Sequence, residues 1–147
     1  MAFEYDINRV REFFSNDRFA ALAGVSIESV TDSEVICSLG IDDRHLNAMG
    51  GVQGGAIFTL ADLCFAIHCN QALIRGEQTG GTVGQSCSIS FLKAPRGQKL
   101  TARSRRLSAG RTMSVFAISV YDGFGNYAAE MLGNAFTTAK RPRAEDA

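Results

Sequence analysis

The chain has 147 residues, 46% hydrophobic and 20% charged, which suffices for one packed core and is too little for two. Its 15 Lys and Arg balance 15 Asp and Glu, so no global charge points to nucleic acid or an anionic membrane. The charges at Glu4, Asp6, Arg9, Arg11 and Glu12 speak against a secretory signal, no apolar run reaches the roughly 18 residues that span a bilayer, and the expected location is the cytoplasm.

Ile7 to Phe14 and Phe19 to Ala23 have helical spacing, with Asp6 and Asn16 or Asp17 as caps. Val25 to Val30 and Glu34 to Ile41 read as short strands around a Thr31-Asp32-Ser33 turn. Asp42 to Val52 has turn chemistry without periodicity and reads as an ordered loop into a long helix, about Gly54 to Arg75, ended by Gly76 and Gly80-Gly81. Four strands follow: Thr82 to Phe91, Gln98 to Ser108, Thr112 to Tyr121 and Asn126 to Ala139. The breaks Ala94-Pro95-Arg96-Gly97, Ala109-Gly110-Arg111 and Asp122-Gly123-Phe124-Gly125 each carry a hairpin signal. Residues 1–139 read as a single domain, and 140–147, charged and containing Pro142, as a disordered tail. One long apolar helix followed by a four-stranded meander implies an α+β fold in which a curved antiparallel sheet wraps the helix, the hotdog arrangement.

The long helix is apolar on nearly every face and so reads as buried, which carries Asp62 toward the interior. An ionised carboxylate is costly there unless something uses it. The run Gly50-Gly51-Val52-Gln53-Gly54-Gly55 leads into the helix. Its first backbone N–H groups are unpaired and partly positive, and glycine lets a ligand oxygen approach them. Gly54 N–H, with Gly55 N–H as a second donor, can therefore polarise a carbonyl and stabilise an oxyanion. Eight helical residues rise about 12 Å, so Gly54 and Asp62 of one chain cannot both reach one carbon. A second helix running antiparallel across a two-fold axis would bring them together, which predicts a dimer with two shared sites. Asp62 then activates water or attacks the carbonyl itself, and the Asn47 amide orients the water or the carboxylate. A thiol, with a pKa of about 8.5, leaves without a strong general acid, so a thioester suits such a site.

The residues His45-Leu46-Asn47, Gly50, Gln53-Gly54-Gly55, Thr59-Leu60-Ala61-Asp62 and Cys69-Asn70 resemble the signature of the phenylacetyl-CoA thioesterase (PaaI-like) branch of the hotdog acyl-CoA thioesterases. Cys87-Ser88-Ile89-Ser90-Phe91-Leu92-Lys93 and Gly110-Arg111-Thr112 are similar to its later strands and hairpin. The resemblance implies hydrolysis of acyl-CoA by homodimers that pair as dimers of dimers, with no metal or organic cofactor. It makes Asp62 the catalytic carboxylate, Gly54 the carbonyl-polarising N–H and Asn47 the active-site amide. Gln53 stands where the family commonly has histidine and can donate a hydrogen bond but not titrate. The family's hydroxyl residue on the next strand falls nearest Gly84, with Thr82 and Ser86 close by. Gly55, His45, Thr82 and Arg111 are expected on the substrate side, His45 as a structural hydrogen-bonder rather than a base.

Between Gln78 and Tyr121 there is no acid, but there are Lys93, Arg96, Lys99, Arg103, Arg105, Arg106 and Arg111; Arg or Lys at the site mouth would meet the CoA phosphates. Phe58, Phe65 and Phe91 are candidates to line an aryl-acyl pocket, against a plain reading as core. The four cysteines, Cys37, Cys64, Cys69 and Cys87, have no CxxC pair and read as small buried hydrophobes. Cys64 with His68 is too little for zinc, and His68 reads as an interior or interface histidine. Three other readings compete: an acyl-CoA-binding hotdog module without turnover, a hotdog dehydratase or hydratase, and a structural domain without a small-molecule site.

Overall fold

The computed structural model describes residues 2–138; the expected tail at 140–147 lies outside them. Asp6 opens α1 (Ile7–Phe14) by accepting the N–H groups of Asn8 and Arg9, and Asp17 opens α2 (Arg18–Ala23) by accepting that of Ala20. Gly24 ends α2 at φ 91°, a left-handed backbone that only glycine adopts readily. Then follow β1 (Val25–Val30), β2 (Val35–Gly40), α3 (Gly54–Cys69), α4 (Gln71–Ile74), β3 (Thr82–Phe91), β4 (Lys99–Ala109), β5 (Met113–Tyr121) and β6 (Tyr127–Thr137).

The six strands form one antiparallel sheet in the order β1-β2-β4-β5-β6-β3, and α3 packs on its concave face. This is the hotdog fold. Leu60, Cys64 and Ile67 of α3 share a fully buried cluster with Val35, Cys37, Leu39, Leu100, Ala102, Ile118 and Met131 of the strands. Each large apolar side chain so buried contributes about 1.5–3 kcal/mol.

Two expectations are corrected. The strands from β3 onward are not a simple meander: β3 leaves its sequence neighbour and pairs with β6 at the far edge. The segment with the Ala94-Pro95-Arg96-Gly97 hairpin signal is therefore a crossover. It passes over the β5–β6 turn, where Asp122 Oδ2 accepts Arg96 N–H, Gly123 N–H donates to Arg96 O, and the backbones of Gly97 and Gly123 approach so closely that a Cβ at Gly97 would lie 3.1 Å from Gly123 Cα. The long helix does not reach Arg75 either. Asn70 breaks it by donating from Nδ2 to both Ala66 O and Thr82 O while its Oδ1 accepts Thr82 N–H, a tether to β3 that outcompetes the next helical turn.

The two sheet edges differ. Along β1, the Arg11 guanidinium donates twice to Ile27 O, at 3.0 and 2.7 Å, and α1 packs alongside. Along β3, Val83 to Ser86 and Ser88 and Ser90 are exposed, and no segment among the described residues covers the edge.

Candidate active site

The loop into α3 is built on His45 and Asn47. His45 is buried: its Nδ1 accepts Asp42 N–H at 3.0 Å, its Nε2 donates to Ala23 O at 2.6 Å, and its carbonyl accepts Gln53 N–H at 2.7 Å. Both ring nitrogens are thus spent on the scaffold, which corrects its placement among substrate contacts. Asn47 Oδ1 accepts the N–H groups of Met49 and Gly51, both at 3.0 Å, which closes a tight turn. That use of the oxygen leaves the exposed Nδ2 group as a donor.

Gln53 is the N-cap of α3, and its side-chain Oε1 accepts the N–H groups of Gly55 and Ala56. This corrects the expectation for Gly55, whose N–H is already taken. Gly54 N–H has no hydrogen-bond partner among the described residues and points out of the helix end. A side chain at Gly54 would meet the Phe91 ring, 3.0 Å from Cζ, so glycine here answers to packing as well as to ligand access.

Asp62 is not enclosed within the single chain. Gly55, Phe58, Thr59, Asp62, Ala66 and Cys69 recur every three or four residues and form the one stripe of α3 that the sheet leaves uncovered. The expected burial fails because the helix is more apolar than this chain's own core requires. The carboxyl is still partly desolvated by its neighbours and faces the negative Asp17, so its pKa is raised above the ordinary 3.8. Sequence spacing carries no sign of Asp17, which is visible there only as a helix cap. The Asp62 charge also acts on Cys69 and Cys87, both only part-buried, which corrects their reading as enclosed. Burial pushes the Cys69 thiol up to about 12 and raises Cys87 as well, so neither is a ready thiolate.

Thr82 lies elsewhere. It is buried at the C-terminal end of α3, its hydroxyl 2.9 Å from that of Thr137 and its backbone held by Asn70. It sits about 12 Å along the helix axis from Asp62, so within one chain it does not join the carboxylate. Arg111 is exposed in the turn between β4 and β5, at that same end of the sheet. Gly84 faces the helix, where Phe65 fills the room a hydroxyl side chain would take: a Cβ at Gly84 would lie 3.1 Å from Phe65 Cε1.

The thioesterase superfamily pattern matches residues 49–129, more than half of the chain and the whole span from the Gly50 loop to β6. The chain belongs to the thioesterase superfamily. It is 29% identical over 108 residues to the acyl-coenzyme A thioesterase PaaI of Escherichia coli, covering 73% of each chain. The structure of E. coli PaaI superposes with a TM-score of 0.78 over 88% of this chain and 91% of that one. A Streptococcus mutans protein bound to acetyl CoA superposes at 0.70, with 26% identity over 81% of this chain and 92% of that one. This thioesterase is a thioester hydrolase of PaaI-like hotdog type.

Several polar groups of the thioesterase stand apart from the site. His68 is fully buried, its Nδ1 2.8 Å from Ser104 Oγ and its ring edge-on to Phe116; burial, with Arg106 nearby, lowers its pKa to about 4, so it stays neutral. Of the basic stretch, Arg103 pairs with Glu34, Arg105 with Glu130, and Arg106 lies over the Phe116 ring. Lys93, two residues beyond Phe91, is exposed and has no ion pair among the described residues.

Proposed function

We propose that this chain hydrolyses acyl-CoA thioesters to free acid and CoA, with Asp62 of one subunit and Gly54 N–H of another forming each site. The observation that carries the reading is that both groups, about 12 Å apart on one helix, lie on or beside the stripe of α3 left uncovered next to the bare β3 edge. A second copy joined edge to edge through β3 runs antiparallel by symmetry. It would cover the apolar stripe and place the two groups opposite each other. The blocked β1 edge leaves β3 as the edge free to pair.

Within such a site, Gly54 N–H and the Gln53 amide donate toward the thioester oxygen, and the Asn47 Nδ2 group orients water or carboxylate. The ionised Asp62 takes a proton from the attacking water and passes it to the departing CoA thiolate as the C–S bond breaks, or it attacks the carbonyl carbon itself, expels the CoA thiolate and leaves a mixed anhydride that water then cleaves, the water's proton going to the thiolate, to release the free acid and restore the carboxylate. Lys93, at the end of β3 beside Phe91, is assigned to the CoA phosphates. Antiparallel joining brings the Thr82 and Arg111 end of one copy toward the Phe91 end of the other, which gives Arg111 the same kind of role. Dimers are further assigned to pair through the convex face, where Val83, Phe136 and Met113 lie side by side across three strands at 54%, 38% and 37% exposure. The four thiols suit a reducing, cytoplasmic setting. Thiol release from a panel of aryl, short-chain and long-chain acyl-CoAs, alongside sedimentation equilibrium, tests the reading; no release from any of them, or a monomer at all concentrations, overturns it.

A further inference from the structure

The turn between β5 and β6 holds an exposed aromatic ring in a rigid frame. Asp122, 5% exposed, spends its carboxylate on this turn: Oδ1 accepts the N–H groups of Phe124 and Asn126 at 3.0 and 2.9 Å, and Oδ2 accepts Arg96 N–H at 2.9 Å and the Asn126 side-chain amide at 3.0 Å. Burial alone would raise its pKa, but these donors bring it down to about 2, so the hub stays ionised. Gly123 N–H donates to Arg96 O, which ties the turn to the crossover a second time. Phe124 is nonetheless 72% exposed, and the Arg96 guanidinium lies over one face of its ring, 6.0 Å from the centroid. A cation on one face and solvent on the other make the ring a flat, open platform. Arg96 has no ion pair among the described residues, and neither do the exposed Lys93 and Lys99 before and after it in the chain.

The platform stands at the same end of the sheet as the candidate site. Leu92 N–H and Lys93 N–H both donate to Ala128 O near the start of β6, and the short run from Phe91, against Gly54, to Arg96 spans at most about 17 Å. β6 separates the turn from the β3 edge, and the Val83, Met113 and Phe136 patch lies at the opposite end of the same strands, so neither proposed contact between copies covers Phe124. From this geometry we infer that Phe124 and Arg96 form a stacking platform for the adenine base of CoA, and that the chain thereby selects acyl groups whose pantetheine arm ends in a nucleotide over the same arm without one. The inference rests on the acyl-CoA reading above and adds to it what recognises the carrier. A purine stacks on the free face of the ring, while Arg96 on the far face adds a cation–π contribution and Lys93 meets the phosphates. The rigidity that Asp122 supplies lowers the entropy lost when the base docks.

The test uses the acyl-CoA of the panel that is cleaved fastest and the S-acylpantetheine with the same acyl group, which lacks the nucleotide. Phe124→Ala should raise KM for the acyl-CoA about tenfold with kcat nearly unchanged, and leave kcat/KM for the acylpantetheine within about twofold. The chain has no tryptophan, so Phe124→Trp puts a single fluorophore at the platform. That variant should keep KM for the acyl-CoA, and CoA but not pantetheine should quench its emission. Equal losses on the two thioesters, an unchanged KM in Phe124→Ala, or quenching by pantetheine equal to that by CoA would overturn the platform and leave the enzyme reading intact. Quenching by ADP that the acyl-CoA does not displace would mark a separate nucleotide site and overturn the CoA assignment. If no thiol is released from any substrate, the enzyme reading falls and the fluorescence titration still decides the platform: quenching by CoA retains it, and no quenching removes it.

Discussion

The side-chain carbonyl of Gln53 takes the N–H of Gly55 and thereby leaves Gly54 N–H as the free donor at the start of α3. In the proposed mechanism one residue so does two jobs, since its Oε1 caps the helix while its Nε2 group remains to face a substrate. The jobs can be separated. Gln53→Ser keeps a capping oxygen and should fold with nearly unchanged stability, yet lose activity with the amide. Gln53→Ala loses both and should cost about 1 kcal/mol of stability in addition. Urea denaturation beside kcat/KM reads the difference, and a fully active Gln53→Ser would confine Gln53 to capping.

Asp62→Asn should lower kcat at least ~100-fold with little change in KM, the signature of an interaction made in the transition state. The same substitution should raise the melting temperature at neutral pH. A carboxyl whose folded pKa lies above its unfolded value of 3.8 binds its proton more tightly when folded, so its ionisation opposes folding above that raised pKa. The advantage of the asparagine should shrink as the pH falls through the raised pKa toward 3.8. Retention of more than about a third of wild-type kcat would remove Asp62 from the mechanism.

The acid limb of the wild-type rate profile follows from the same group. With ionised Asp62 as the active form in the proposed mechanism, kcat/KM should fall as the pH drops through a pKa above the ordinary 3.8, raised by desolvation first and by Asp17 second. Asp17→Asn removes the like charge and should move that limb to lower pH. It also keeps an N-cap for α2, so a general loss of structure would not account for the shift.

Lys93→Ala should raise KM for an acyl-CoA several-fold and leave hydrolysis of the matching N-acetylcysteamine thioester, which lacks the nucleotide phosphates, nearly unchanged. The loss should narrow at high salt, as expected for a screened charge pair. An equal loss on both substrates would place Lys93 in the scaffold instead.

Local pattern made α1, β1 and β3 legible to the residue, because period and capping chemistry such as Asp6 are read within a few positions. What it could not show depends on distant partners. The apolar run continues through Ala72, Leu73 and Ile74, and α3 breaks at Asn70 only because Thr82 is there to bind it. Turn chemistry at Ala94-Pro95-Arg96-Gly97 looks the same whether the chain folds back or crosses two strands; the choice is made by Asp122 and Gly123. Asp62 was legible as a carboxylate out of place on an apolar helix. Its exposure was not, because such a helix looks the same in sequence whether its own sheet or a second copy covers it.

The shared site makes the most exposed prediction. Gly54 occupies the first position of α3, where proline fits the helix and removes only an N–H that has no intrahelical partner. Its Cβ would press on the tip of the Phe91 ring at 3.0 Å, so Gly54→Ala, which adds the same atom but keeps the N–H, is the control for crowding. Gly54→Pro and Asp62→Asn homodimers should each be nearly inactive. A mixed dimer contains one site with both defects and one with neither, so activity should return as subunits exchange and approach about half of wild type per mixed dimer. Recovery in the mixture, with the alanine control active, cannot come from a site built within one chain, since neither chain carries both intact groups. Mixed dimers verified by mass spectrometry that remain inactive would show that Asp62 and Gly54 do not meet across a two-fold axis, and the proposed mechanism would fall.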